Sequence, residues 1–116
     1  MLVNVTRLAD VELAPNRYVV VDATTGTAKY CGAGVKPFGV TLDGASIGDP
    51  VSICVLGTCL VEVGAAVAGT ASYVQSDANG RAITLAAGVE SGLVFDGKGA
   101  AAPVATNYPV LQIVLK

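Results

Sequence analysis

Short apolar runs separated by turn residues fill most of this chain, and the pattern is that of strands. Residues 39–63, GVTLDGASIGDPVSICVLGTCLVEV, place Val, Ile, Leu, Thr and Cys between Asp-Gly, Gly-Asp-Pro and Leu-Gly. Such residues favour strands, and such Gly- and Asp-containing sequences favour tight turns. The stretch predicts strands with both faces buried, joined by turns at which Gly44, Asp49 and Gly57 hold structural positions.

The same pattern continues on both sides of this stretch. In Ser-Asp-Ala-Asn-Gly, Asp77 and Gly80 occupy positions that favour a turn between two further strands. The other predicted strands are residues 2–7, 17–22, 28–31, 70–75, 81–85, 92–95 and 110–115. About ten short strands, spaced roughly 8 to 12 residues apart, predict an all-β fold, a small β-barrel or β-sandwich with no long helix.

Length and composition favour one domain that shares part of its surface with other molecules. The chain has 116 residues, of which 53% are hydrophobic and 14% charged, against about 25% charged in an ordinary domain. We expect copies of the chain or a partner to cover the remaining apolar surface. Residues 1–16 are interpreted as an N-terminal arm or extended segment, with a loop or a poorly tied segment over 9–16, and residues 17–116 as a single domain.

Charge and aromatic content disfavour two classes of partner. The net charge is −2 and the seven basic residues are scattered, so we expect no nucleic acid as a partner. Six aromatic residues without Trp are few for a stacking platform. Residues 51–71 are apolar enough to suggest a membrane span, but Glu62 near its centre and Pro50 before it favour strands.

Three cysteines leave two interpretations open. The first residues lack the apolar run of a signal peptide, so we expect synthesis in a cytoplasm and reduced thiols. If Leu56-Gly57 forms a two-residue turn, Cys54 faces Cys59 across a hairpin. The pair then forms a disulfide in oxidising surroundings, or serves as two small buried apolar side chains, which we favour, while Cys31 stands apart.

Residues that perform chemistry are scarce. The chain has no histidine, which removes Ser–His and Cys–His nucleophiles and the commonest metal ligand. Most carboxylates fall at turns, and Asp77-Ala-Asn-Gly lacks the later acidic ligands of a calcium loop. The sequence therefore predicts no catalytic residue, no cofactor and no metal site.

Several motifs, taken in order, resemble one family. They are Tyr-Val at residues 18–19, Gly-Val-Thr at 39–41, Gly-Asp-Pro-Val at 48–51, Gly57 within an apolar stretch, and Ser-Asp-Ala-Asn-Gly-Arg-Ala at 76–82. Over residues 17–116 this order resembles the capsid cement, or decoration, proteins of tailed bacteriophages. Thr70 is a departure, because members often carry Asp there.

The resemblance implies a structural protein on the outer surface of the virion head. Such proteins are small β-barrels or sandwiches, often trimers, that brace the major capsid protein lattice. The implied partners are therefore the major capsid protein and further copies of this chain, with no nucleic acid and no membrane.

Candidate interface residues follow from the apolar pattern. Alternation in the N-terminal segment suits an added strand, and one apolar face of the 39–63 stretch suits a subunit contact. That face is either Ile53 with Leu60, or Cys54 with Leu56 and Val61. The full set of candidates is Leu2, Val3, Val5, Arg7, Ile53, Leu56, Leu60 and Tyr108.

Two rival functions are weighed against this one. A surface-displayed β-domain that binds a host glycan or protein would need exposed aromatic rings, for which Tyr108 and Tyr73 are available. A small-molecule or enzymatic β-barrel would need converging polar groups, and the sequence shows none.

Overall fold

This computed structural model describes residues 3–68, 73–86, 88–94, 99–101, 103 and 108–115. The described residues form strands and turns, which confirms the all-β prediction. No helix among them is long and apolar enough to span a bilayer. The strands are β1 (Val3–Leu8), β2 (Tyr18–Val21), β3 (Ala28–Tyr30), β4 (Gly39–Thr41), β5 (Pro50–Glu62), β6 (Val67–Ala68), β7 (Tyr73–Ser76), β8 (Ala82–Thr84), β9 (Gly92–Val94), β10 (Gly99–Ala100) and β11 (Val110–Leu115).

Nine strands belong to one hydrogen-bonded sheet, eight of them along a single path. Its order is β3-β2-β4-β5-β11-β9-β7-β8, with β1 also paired to β5, while β10 and β6 form a separate pair. All the pairings between these strands are antiparallel. The path ends at β3 and β8 without closing, so the described strands form a sandwich-like bent sheet rather than a closed barrel.

Strand β5 connects the two halves of this sheet. Residues 50–56 pair with β1, and Ile53 and Cys54 also pair with β4, whereas residues 57–62 pair with β11. Gly57, at the changeover, has a φ of 107°, which L side chains rarely adopt. The predicted hairpin turn at Leu56-Gly57 is therefore wrong. Gly57 bends the strand, and each side of the bend pairs with a different neighbour.

The described residues form two apolar cores. The first core contains residues from both halves of the sheet, including Tyr18, Cys54, Cys59, Val61 and Ile113. The second core lies on the opposite face of the β1–β5 half and contains Ala9, Leu13, Val19, Ala28, Val51 and Ile53. Because Ile53 and its neighbour Cys54 face different cores, this part of β5 is buried on both faces, as predicted.

The N-terminal segment belongs to this second core. After β1, Ala9 and Leu13 are buried, and Leu13 pairs with Ala45 through backbone hydrogen bonds of 2.8 and 2.9 Å. Of the two expectations for 9–16, a loop or a poorly tied segment, the second is therefore wrong, because apolar side chains of this segment cover the outer face of the sheet.

The predicted turns are formed by local hydrogen bonds, with Gly57 as the exception. Asp77 Oδ1 accepts bonds from the N–H groups of Asn79 (2.8 Å) and Arg81 (2.9 Å), and Gly80 has a φ of 75°. Asp49 donates its N–H to Ser46 at 3.0 Å before β5 begins. Gly44 follows a bend at residues 42–43.

Two short strands lie outside the segments predicted as strands. Strand β6 lies within residues 65–69 and β10 within 96–108, and they pair with each other. Their Ala and Gly residues have little strand propensity, so pairing between distant segments, rather than local sequence, produces these strands.

The close approach of β4 to β5 gives a first prediction. A Cβ added to Gly39 would lie 2.3 Å from the Cys54 carbonyl oxygen and 2.6 Å from Ile53 Cγ2. Gly39→Ala should therefore lower the free energy of unfolding by about 3 kcal/mol, because the backbone of a central strand must move. Urea denaturation measures this change.

Gly32→Ala is the matched control. Its added Cβ would meet Val35 Cγ2 at 3.5 Å, an ordinary contact, so stability should stay within about 0.5 kcal/mol of the parent. Equal stability of the two variants would contradict the packing described for β4 and β5.

Candidate interaction surface

Strand β1 presents an open edge. Its residues alternate, with Val3, Val5 and Arg7 half-buried and Asn4, Thr6 and Leu8 exposed. Val5 lies opposite Ile53 and Arg7 opposite Val51, so the half-buried side chains adjoin the second core. Among the described strands, β1 pairs only with β5. Its other edge is therefore available for an added strand. Leu2 lies outside the described residues.

Of the predicted interface face formed by Ile53 and Leu60, only Leu60 is accessible to another molecule. Both side chains point away from the first core, but Ile53 is 0% exposed and Leu60 is 45% exposed. The difference arises because residues 9–13 of the same chain cover Ile53 as part of the second core. Ile53 is therefore a core residue, and that part of the interface prediction is corrected.

The alternative face is not a surface either. Cys54 and Val61 are both buried in the first core, and Leu56 is half-buried beside the bend. Of the residues assigned to the two faces, Leu60 is the one whose side chain is well exposed.

Leu60 belongs to a wider apolar surface, the β5–β11 outer face. Directly opposite residues in antiparallel strands project to the same side, and here Leu60 lies opposite Gln112 and Thr58 opposite Val114. Val110, opposite Glu62, is 44% exposed. Glu62 projects to the same side but is half-buried against Arg81. We define the β5–β11 outer face as the uncharged residues beside it, Thr58, Leu60, Val110, Gln112 and Val114. Uncharged side chains suit the centre of a protein–protein contact.

A second group of exposed apolar residues lies near the start of β5. Leu8 pairs opposite Pro50, the Leu42 N–H donates to the Ser52 carbonyl, and Ile47 in the preceding turn is 72% exposed. Leu8 lies on β1 itself, and the turn that carries Ile47 bonds to Ala9 just after β1, so an added strand at the open edge would find apolar contacts as well as backbone groups. Leu42 lies on the β4 side of β5.

A polar cluster joins the two halves of the sheet. Glu62 Oε2 accepts a hydrogen bond from Arg81 Nε at 3.2 Å and lies 3.8 Å from an Arg17 terminal nitrogen. Arg17 stacks on the Tyr30 ring at 4.3 Å, and Arg81 stacks on Tyr108 at 3.6 Å. We call these five residues the Arg–Glu–Tyr cluster. It contains two cations on aromatic faces that share one carboxylate.

Burial makes this cluster structural rather than reactive. Arg17 is 7% exposed, and its Nε donates to the Asn79 carbonyl at 2.9 Å, as does a terminal nitrogen. Burial, followed by the like charge of Arg81, lowers the Arg17 pKa, while Tyr30 and Glu62 act in the opposite direction. The guanidinium therefore depends on nearby acceptors and on Glu62 for its compensation.

Sequence reasoning missed this cluster, except for Tyr108, which it assigned to an interface. The five members come from five separate parts of the chain, and the Gly-Arg-Ala motif around Arg81 was the one local signal. Because Arg81 covers one face of Tyr108, that half-buried ring is a poor platform for a sugar. The geometry therefore adds nothing to the glycan-binding alternative.

The described residues offer little for chemistry. One cavity, of about 140 Å³, is lined by Lys36, Phe38, Val55, Glu90 and Leu115 among others, and its volume suits one side chain. No group of three or more potential metal ligands occurs among the described residues.

Comparison with known proteins supports the fold. No protein-family model and no curated protein matches this sequence. The chain is similar in structure to the N base of the head fiber gp8.5 of bacteriophage phi29, with a TM-score of 0.77 and 14% identity. The match covers 100% of this chain and 95% of that one. At this identity the likeness shows the shared fold, and the capsid cement family is not identified by it.

The Arg–Glu–Tyr cluster gives a second prediction. Glu62→Gln should lower the free energy of unfolding by about 2 kcal/mol, because the buried Arg17 and its neighbour Arg81 lose their shared counter-charge while the side-chain volume is kept. Thermal or urea unfolding at neutral pH measures the loss.

The control removes an exposed charge pair. Lys29 lies 3.9 Å from Asp22, and both side chains are well hydrated, so Lys29→Gln should leave stability unchanged within error. If Glu62→Gln changed the free energy of unfolding as little as Lys29→Gln, the cluster would not contribute to holding the two halves together.

Proposed function

We propose that this protein is a non-enzymatic structural component of a tailed-phage virion. It binds the outer surface of the head and stabilises the major capsid protein lattice, acting as a trimer. The observation that carries this proposal is the full-length similarity of its fold to the base of a phage head fiber. The sequence motifs, whose order resembles that of the capsid cement proteins, independently support a role on a phage head.

The uncovered half of the sheet supports self-association. On the β1–β5 half, residues 9–13 of the chain cover the outer face with a second core. On the β5–β11 outer face, Gln112 and Val114 are half-buried, whereas Leu60 and Val110 remain exposed. We propose that further copies of the chain pack against this face and complete the burial.

The open edge of β1 supports attachment to the shell. An extended segment of the major capsid protein would pair with this edge and contact Leu8 and Ile47 nearby. Such binding stabilises the lattice when the mature arrangement is bound more tightly than the immature or broken one. Many sites on one shell then act together even when each is weak.

Electron microscopy of heads with and without the protein tests this function directly. We expect extra density at a repeated position on the outer surface, and heads that resist heating or low ionic strength better when the protein is present. Heads that take up no protein at saturating concentration would refute the proposal.

Substitution of Leu60 tests the subunit contact. Leu60→Lys places a charge at the centre of the β5–β11 outer face, and because the side chain is exposed the fold should persist. We expect the protein concentration at which the trimer dissociates to rise at least tenfold, since a buried unpaired charge is costly. Sedimentation velocity measures this, with Ile47→Lys as an exposed apolar control on another surface. If the parent protein stays monomeric at high concentration, the proposal that the free chain forms trimers is refuted.

Substitution of Thr6 tests the edge of β1. Lysine on an edge strand hinders pairing with another strand, so Thr6→Lys should reduce retention on heads while leaving the unfolding temperature near the parent value. Thr24→Lys, in the exposed turn between β2 and β3, is the matched control and should bind normally. Equal retention of both variants would exclude the β1 edge as the attachment site.

A further inference from the structure

The bend of β5 brings two thiols into contact. Cys54 Sγ and Cys59 Sγ are 3.0 Å apart. In a straight strand, residues five positions apart have Cα atoms separated by roughly 16 Å, so the bend at Gly57 brings the two sulfurs together. Both cysteines are reduced and buried in the first core.

The third cysteine has a different environment. The Cys31 thiol lies 3.3 Å from the Val35 carbonyl oxygen and 3.5 Å from that of Gly32, and accordingly contacts backbone acceptors. Cys31 belongs to the same core, but the sulfur-to-sulfur contact in the structure is between Cys54 and Cys59. Cys54 and Cys59 are therefore the two thiols placed to react with each other, and Cys31 is a control thiol in the same chain.

We propose that Cys54 and Cys59 form a cross-linking site, at which oxidation closes an intrachain disulfide across the β5 bend. The oxidant is a low-molecular-weight disulfide. One protein thiolate attacks it to give a mixed disulfide and releases one small thiol; the second protein thiolate then displaces the other small thiol. Two protein thiols lose two electrons and two protons in total, and the oxidant gains them as two small thiols.

The cross-link would fix the part of the chain on which both halves of the sheet depend. It joins the end of the segment paired with β1 and β4 to the start of the segment paired with β11. The inference does not rest on the proposed function, although particles that leave a reducing cytoplasm for an oxidising medium would meet the required oxidant.

Burial controls the rate of this reaction. Burial and the adjacent Cys54 raise the pKa of the Cys59 thiol, so its thiolate is scarce near neutral pH. Because the thiolate is the attacking species, the cross-link should form slowly at pH 7 and faster as the pH rises.

The test treats the folded protein with oxidised glutathione at pH 7 and pH 9 and follows its intact mass. We expect a monomer lighter by about 2 Da, the mass of two hydrogens, with a Cys54–Cys59 peptide after digestion and Cys31 still alkylatable. The unfolding temperature should rise by roughly 5 °C, because the cross-link restricts the unfolded chain. A reductant should reverse both changes.

Two controls make each outcome decisive. Cys31→Ala should form the cross-link like the parent, whereas Cys59→Ala should not. Denatured protein under the same treatment shows that the oxidant is active. Three thiols retained in the folded protein, a cross-link that includes Cys31, or cross-links only between chains would each overturn the proposal.

Discussion

The structure depends on the bend of β5 at Gly57. This one strand pairs with β1 and β4 on one side of the bend and with β11 on the other. A regular strand sends alternate side chains to opposite faces, so without the bend its two halves would extend one flat sheet. With the bend, Cys54 and Val61 face the same core from two different directions. The positive φ of Gly57 is therefore a requirement of the whole fold.

The Arg–Glu–Tyr cluster is the polar counterpart of this bend. Glu62 ends β5, Arg17 precedes β2 and Arg81 precedes β8, so one carboxylate receives cations from both halves. Apolar burial brings the halves together without selecting a single orientation, whereas shared charges and stacked rings are directional. We interpret the cluster as the contact that fixes how the two halves meet.

Local signals were predictable from sequence, and long-range ones were not. The turn from Asp77 to Gly80 formed as expected because side chain and backbone within five residues determine it. Gly57 was misassigned because a glycine with positive φ suits a hairpin and a bend equally well, and the choice depends on strands at the two ends of the chain. The burial of Ile53 depends on Leu13, which is forty residues away in the sequence. The members of the Arg–Glu–Tyr cluster are also far apart in the sequence, and no regular spacing relates them.

The position of the two outer strands on β5 has one more consequence. Val3 pairs opposite Leu56 and Leu115 opposite Gly57, so the first and last described residues lie beside adjacent positions of a single strand. A short linker could join them, and new ends could be opened in the exposed turn between β2 and β3. Groups attached near Val3 and near Leu115 would therefore both lie next to the bend.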